Sequence, residues 1–154
     1  MAVERCLKTI SEQGACARVK IERDYASGLR KVMLDQDLCD QVFTNLFMNA
    51  CEAMGEQGGE MRVRVRAADD KDGEAGVVVE VEDSGPGVPA ELKEQIFNPF
   101  VTTKKSGVGL GLAIVSKIVD AHGGSLKLVS EPGHGACFRV TFPAAAAAET
   151  DAKA

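Results

Sequence analysis

The stretch Asp40-Gln41-Val42-Phe43-Thr44-Asn45-Leu46-Phe47-Met48-Asn49-Ala50 decides how the rest of this chain is read. Val42, Leu46 and Ala50, with Leu38 before them, recur at the spacing of an apolar helical stripe flanked by Phe43 and Phe47. Asp35 or Asp37 can cap the helix, which runs to about Met54, where Gly55 and the Gly58-Gly59 pair end it. Asn45 and Asn49 stand four residues apart and so project from one face. Asn is a mediocre residue in a helix interior. Such a pair is either a polar edge or a pair of amide oxygens aimed at a phosphate-bound Mg²⁺, which prefers hard oxygen ligands. Glu52 follows one turn past Asn49 on the same side.

Upstream, Val3, Leu7 and Ile10 predict a helix closed by Gly14, and Arg18 to Arg23 alternates as a strand with one wet face does. Lys31-Val32-Met33-Leu34 is compatible with a second short strand. Downstream, Met61 to Arg66 alternates, and Val77 to Glu82 reads as its hairpin partner, with Arg side chains of one strand facing Glu side chains of the other. A short helix is expected around Glu91 to Ile96. Leu110, Ile114, Ile118 and Val119 mark another helix, closed by His122-Gly123-Gly124. Two strands, Ser125 to Glu131 and Cys137 to Phe142, flank a Pro132-Gly133-His134-Gly135 turn. The order predicts an α+β fold, an α/β sandwich of one mixed β-sheet with about three main helices packed on one face. Residues 1–143 form one domain, and 144–154 are an Ala-rich tail expected to be disordered.

At 154 residues the chain fits one domain large enough for a core without staples. Eighteen basic against twenty-three acidic residues give a net charge of −5, which argues against a broad cationic nucleic-acid face or a polybasic membrane anchor. No apolar run reaches membrane-helix length, and the start lacks the order of a signal peptide. Five cysteines, odd in number and never in a CxxC pair, argue for small apolar thiols in a reducing cytoplasm rather than a disulfide framework or zinc site. A redox sensor at Cys51 is disfavoured, because the adjoining Glu52 carboxylate raises a thiol pKa.

Two further segments carry chemistry. In Asp83-Ser84-Gly85-Pro86-Gly87 the carboxylate can accept from an exocyclic amine such as adenine N6, and the glycines let backbone approach a flat ring. Gly107-Val108-Gly109-Leu110-Gly111-Leu112 opens a helix whose N–H groups and dipole favour an anion. Its spacing is GxGxG and it follows a polar loop, so it is no Rossmann fingerprint, and no P-loop occurs. Thr102, Thr103, Lys104 and Lys105 add hydroxyls and cations just upstream.

Taken in order, residues 40–50, Asp83 to Gly87, Phe97-Asn98-Pro99-Phe100 and Gly107 to Leu112 resemble the N, G1, F and G2 boxes of the catalytic ATP-binding domain of sensor histidine kinases, in the GHKL ATPase superfamily. Ala121 to Gly124 and the Gly133 to Phe138 turn are similar to the family's C-terminal portion. The resemblance implies the ATP-binding fold of GHKL ATPases, with ATP and Mg²⁺ as cofactors. Asn49 would coordinate Mg²⁺, and Asn45 would support the phosphates. Asp83 would bind adenine N6, with Gly85 and Gly87 shaping that pocket. Gly107, Gly109 and Gly111, with Leu110, would hold the triphosphate. Thr102 to Gly107 would form a short lid hinged at Phe97 and Phe100, from which Lys104 or Lys105 reaches the β- or γ-phosphate. The catalytic set is then Asn45, Asn49 and Lys104.

Hydrolytic members of the superfamily carry a Glu base where this chain has Asn45, so slow basal hydrolysis is expected, as for a kinase that spares its phosphoryl group. Glu52, Val108 and Ala136 depart from a frequent Lys, Thr and hydroxyl residue of the family. The resemblance implies a protein-histidine kinase domain transferring the γ-phosphoryl of Mg·ATP to a His on a separate dimerisation/phosphotransfer domain, which feeds a response regulator. His122 and His134 read as structural, His122 as a cation suited to a helix C-terminus, so the acceptor lies elsewhere and the chain is an excised or stand-alone domain. A monomeric, cytoplasmic domain is expected. A nucleotide-responsive binding module and an anti-sigma-type serine kinase are the alternatives.

Overall fold

Helix α1 (Ala2–Glu12) buries Val3, Cys6, Leu7 and Ile10, the i, i+3, i+4, i+7 face that its sequence presents. The computed structural model describes residues 2–12, 14, 17–29, 32, 34–68, 76–87, 111–130 and 135–144. After strand β1 (Val19–Tyr25) comes the long helix α2 (Gln36–Met54). Asp35 is its cap: the carboxylate accepts from the Leu38 N–H at 3.0 Å. Gly55, at φ 65°, ends it by turning its N–H back to the Cys51 and Glu52 carbonyls. A 3₁₀ turn (Gly55–Gln57) leads into β2 (Gly59–Ala67), which pairs antiparallel with β3 (Gly76–Asp83). Helix α3 (Gly111–Ala121) and strands β4 (Ser125–Ser130) and β5 (Ala136–Pro143) complete the order. The predicted helix around Glu91 to Ile96 lies outside the described residues, as do residues 145–154 of the tail.

Among the described residues, five strands form one mixed sheet in the order β1-β2-β3-β5-β4, parallel between β1 and β2 and antiparallel elsewhere. Helix α2 connects β1 to its parallel neighbour β2, and α3 connects β3 to β4, with β5 filling the place between. Helix α2 packs on β2 and β3 and against α3, so both connecting helices cover the same face. The second connection advances across the sheet in the same direction as the first, on strands that point the opposite way. The two crossovers therefore have opposite hands, and only one obeys the usual right-handed rule. The chain after β3 rests on the last turn of α2, where Gly85 meets Ala53, and the start of α3 lies against Asn45, about two turns earlier on the same helix.

The covered face carries Met61, Val63 and Val65 from β2, Val79 and Val81 from β3, and Phe138, Val140 and Phe142 from β5, with Phe47, Leu46, Leu7 and Ile10 against them. Burying each such side chain contributes ~1.5–3 kcal/mol. The opposite face holds the expected Arg–Glu ladder, with Arg62 beside Glu82 and Arg64 beside Glu80 in register. Its ion pairs also run diagonally. Arg62 reaches Glu22 at 3.2 Å and Glu82 at 3.5 Å, and Arg64 reaches Glu82 at 3.7 Å. Glu80, 6% exposed, sits between Arg66 at 3.2 Å and Arg139 at 3.1 Å.

Three expectations need correction. The buried face of α2 keeps Val42, Leu46 and Ala50 of the expected stripe but is wider, adding Cys39, Phe43, Phe47, Cys51 and Met54, because α2 is packed by α1, α3 and the sheet. Phe43 and Phe47 are therefore central and Leu38 is 39% exposed. Val32 and Leu34 lie in no strand; Val32 is buried in the core, while Lys31 and Met33 are outside the described residues. Cys6, Cys39 and Cys137 are free thiols, but Cys51 is disulfide-bonded. Cysteine spacing along a chain does not report which thiols a fold brings within bonding reach.

Candidate functional site

Three segments converge where β3, α2 and α3 meet. Asp83 is the last residue of β3 and only 3% exposed, facing the helix-covered side beside Ala136 of β5. One carboxylate oxygen accepts from the Gly85 N–H at 2.9 Å, and the Ala136 N–H also donates to the carboxylate. Burial raises its pKa above the ordinary Asp value, against these backbone donors, which lower it. A carboxylate has about four lone-pair sites, so two backbone N–H groups leave acceptor capacity for a further donor.

Gly85 is required by close approach. A Cβ there would lie 2.9 Å from Asp83 Oδ1 and 3.1 Å from the Ala53 carbonyl oxygen, so the chain after β3 rests on the last turn of α2. The neighbouring Ser84 fastens this turn to β2, accepting from the Glu60 N–H through Oγ at 3.0 Å and donating its own N–H to the Glu60 carbonyl at 3.1 Å.

Asn45, Asn49 and Ala53 follow one another at i, i+4 and i+8 on α2, a strip ~12 Å long at 1.5 Å per residue. Asn45 and Asn49 are half-buried, within a helix whose other face is core. Opposite Asn45 stands Gly111, the first residue of α3, where a Cβ would come 3.9 Å from Asn45 Cγ. The strip thus begins beside the N-terminus of one helix, favourable to anions, and ends beside the buried carboxylate of Asp83. Glu52 is exposed on the same helix. Among the described residues no group of three or more His, Cys, Asp or Glu gathers into a metal cage. The amide oxygens of Asn45 and Asn49 suit a cation that arrives already bound to phosphates.

Of the residues singled out from sequence, Asn45, Asn49, Asp83, Gly85 and Gly111 come together here, and Gly87 closes the turn after Asp83 at φ 80°. Phe97, Phe100, Thr102, Thr103, Lys104, Lys105, Gly107, Gly109 and Leu110 lie outside the described residues, as does His134. Three participants carry no sequence signal: the Ala53 carbonyl, the Ala136 N–H and the hydroxyl of Ser84. Each acts through backbone or through a generic hydroxyl, so only the fold reveals it. The reading of His122 changes in kind. Its Nε2 accepts the Asp35 N–H at 3.0 Å and its Nδ1 meets the Ile118 carbonyl at 2.8 Å, so it serves as a neutral ring rather than a cation.

Residues 34–146 match the family described as histidine kinase-, DNA gyrase B-, and HSP90-like ATPase. The chain is 36% identical over 141 residues to the sensor histidine kinase ZraS of Escherichia coli O157:H7, covering 92% of this chain and 30% of that protein. It is 40% identical over 139 residues to the sensory histidine kinase/phosphatase NtrB of Rhodobacter capsulatus, covering 86% of this chain and 39% of that protein. It therefore spans about a third of the length of these curated relatives. Among solved structures, the catalytic domain of histidine kinase ThkA superposes with a TM-score of 0.78 at 33% identity, covering 93% of this chain and 90% of that one. Full-length ShkA in complex with AMPPNP superposes with a TM-score of 0.79 at 31% identity, covering 95% of this chain and 30% of that one. The chain belongs to the histidine kinase-, DNA gyrase B- and HSP90-like ATPase family, as the catalytic ATP-binding domain of a histidine kinase.

Proposed function

We propose that this domain binds Mg·ATP along α2 and delivers the γ-phosphoryl group to a histidine on a separate dimerisation/phosphotransfer domain, which passes it to a response regulator. The observation that carries this reading is the alignment of Asp83, the Asn49–Asn45 strip and Gly111. It sets an amine-accepting carboxylate ~12 Å of helix away from an anion-favouring N-terminus. The Asp83 carboxylate accepts the adenine N6–H while Gly85 and Gly87 admit the ring. Asn45 and Asn49 turn their amides to the phosphates and metal, and the Gly111 end of α3, preceded by Gly107, Gly109 and Leu110, receives the phosphate charge. Magnesium, when bound with the nucleotide, neutralises phosphate charge. Thr102, Thr103, Lys104 and Lys105 close over the triphosphate, with Phe97 and Phe100 at the hinge.

In the transfer step a nitrogen of the partner's imidazole attacks the γ-phosphorus. The bond to the β-phosphate oxygen breaks, and ADP leaves with the bonding pair. Asn45 is an amide and takes no proton from water, so the domain supplies alignment and charge stabilisation without promoting hydrolysis. The ATP supply places the reaction in the cytoplasm, and the isolated domain acts as a monomer.

The test mixes the domain with γ-labelled ATP, magnesium and a histidine-bearing acceptor domain from a relative. Label on the acceptor that is lost in acid and kept in alkali is expected. Acid-stable label would instead indicate a serine kinase. Nucleotide binding without any label across a panel of acceptors would leave a binding module, and the kinase reading would fall.

A further inference from the structure

We propose that His122 is a positioning residue for the nucleotide site, tying the N-cap of α2 to the C-terminal end of α3 and so fixing the axial register that sets Asn45 opposite Gly111. The inference rests on the nucleotide reading of that site. Helices α2 and α3 run antiparallel, and they meet at two named places. At one, Gly111 begins α3 against Asn45. At the other, His122 follows the last residue of α3, and its Nε2 accepts the backbone N–H of Asp35 at 3.0 Å. Sliding either helix along the other would break the second contact and misalign the first.

Each end of this tie is itself held. The Asp35 carboxylate caps α2 through the Leu38 N–H at 3.0 Å, and its carbonyl accepts the first helical bond from Cys39 at 2.9 Å. The N–H that His122 receives is thus the remaining backbone group of the cap residue. On the other side, Nδ1 donates to the Ile118 carbonyl at 2.8 Å, which fixes the tautomer that leaves Nε2 free to accept. The ring stands edge-on to Phe142 at a centroid distance of 6.3 Å. The turn behind it is closed by Gly123 N–H to the Asp120 carbonyl and Gly124 N–H to the Val119 carbonyl, both at 3.0 Å. His122 therefore has one orientation, and that orientation spans two helices.

Two amide substitutions separate the tie from the local bond. In His122→Gln the side-chain oxygen reaches the position of Nε2 and can still accept the Asp35 N–H. In His122→Asn it reaches only the position of Nδ1, and the Asp35 N–H is left without its acceptor. Mg·ATP affinity is measured for the parent and both variants, with far-UV circular dichroism to monitor folding. The parent must bind Mg·ATP; if it does not, the nucleotide reading itself fails, irrespective of His122. Given binding, the Gln variant is expected within about threefold of the parent and the Asn variant about tenfold weaker, with both folded. Equal affinities of the two variants, or the reverse order, overturn the proposal. Nitrogen NMR of the parent supplies a measurement that needs no variant to fold: Nε2 should show the shift of an unprotonated acceptor, coupled across the hydrogen bond to the Asp35 amide. A protonated Nε2 in the neutral ring overturns the proposal equally.

Discussion

Replacing Asp83 with Asn removes one charge from the centre of the proposed adenine pocket while keeping the shape of the side chain. In the structure the carboxylate is 3% exposed, tied to Gly85 and Ala136 by backbone donors, and its pKa is raised by burial. A raised carboxyl pKa means the folded chain holds this proton more tightly than the unfolded chain. The ionised group therefore lowers stability as pH rises from the ordinary Asp range through its raised value, and the loss is complete above that value. At neutral pH the folded protein bears this penalty, and Asn removes it. Function moves the other way. Losing a charge-assisted bond to adenine N6–H costs ~1.5–3 kcal/mol, and an Asn N–H₂ facing the N6 donor leaves a buried donor unpaired at ~1–3 kcal/mol more. A total of at least ~2.5 kcal/mol corresponds to roughly hundredfold weaker ATP binding. Calorimetric titration with Mg·ATP beside a thermal melt at neutral pH reads both quantities. The expected pair is a melting temperature equal to or above the parent's and an affinity about a hundredfold lower. A variant that binds within threefold of the parent would refute the role of the carboxylate. One that melts well below the parent would refute the sign of the electrostatic argument.

Other consequences concern the frame around the site. Gly135 adopts φ 81°, and a Cβ there would overlap the Asp83 carbonyl oxygen, so Gly135→Ala should cost ~3 kcal/mol; an unchanged melting temperature would contradict the packing. Glu80 holds Arg66 and Arg139 on the far face, and Glu80→Ala should lower stability by ~3 kcal/mol in urea unfolding while leaving ATP affinity unchanged. Burial, aided by the carboxylates of Asp35 and Asp40 for Cys39 and of Glu80 and Glu82 for Cys137, pushes both thiols up to about 11. At pH 8 about one in a thousand is then ionised, so both should resist iodoacetamide in the native protein, as peptide mass spectrometry can check. Modification of either within minutes would show that it is not enclosed as described.

Much of this fold is legible in the chain because its signals are local. The Arg/Val alternation of residues 61–66 sets one face of β2 on the core and the other in an ion-pair ladder, and the register bears it out. Asp35, Gly55 and Gly123 mark helix boundaries through backbone groups that need partners whatever the tertiary context. The burial of α2 was only partly legible. The stripe Val42, Leu46 and Ala50 can be counted from periodicity, but three packing neighbours widen the buried face around Phe43 and Phe47 and leave Leu38 outside it. Val32 is apolar for the core and not for a strand, a distinction that composition does not carry. At the site, Asn45, Asn49 and Asp83 announce themselves by residue type, whereas the Ala53 carbonyl, the Ala136 N–H and the His122–Asp35 tie exist only once distant segments meet.

The claim on which the rest depends is that one adenine nucleotide lies along α2 between Asp83 and Gly111. Backbone amide NMR of the whole chain, titrated with Mg·ATP to millimolar levels, tests it most directly. Saturating shifts are predicted at Asn45, Asn49, Asp83, Gly85 and Gly111, with residues of the Arg–Glu face such as Arg62 and Glu82 unmoved. Absence of saturation, or a response centred on that far face, would contradict it.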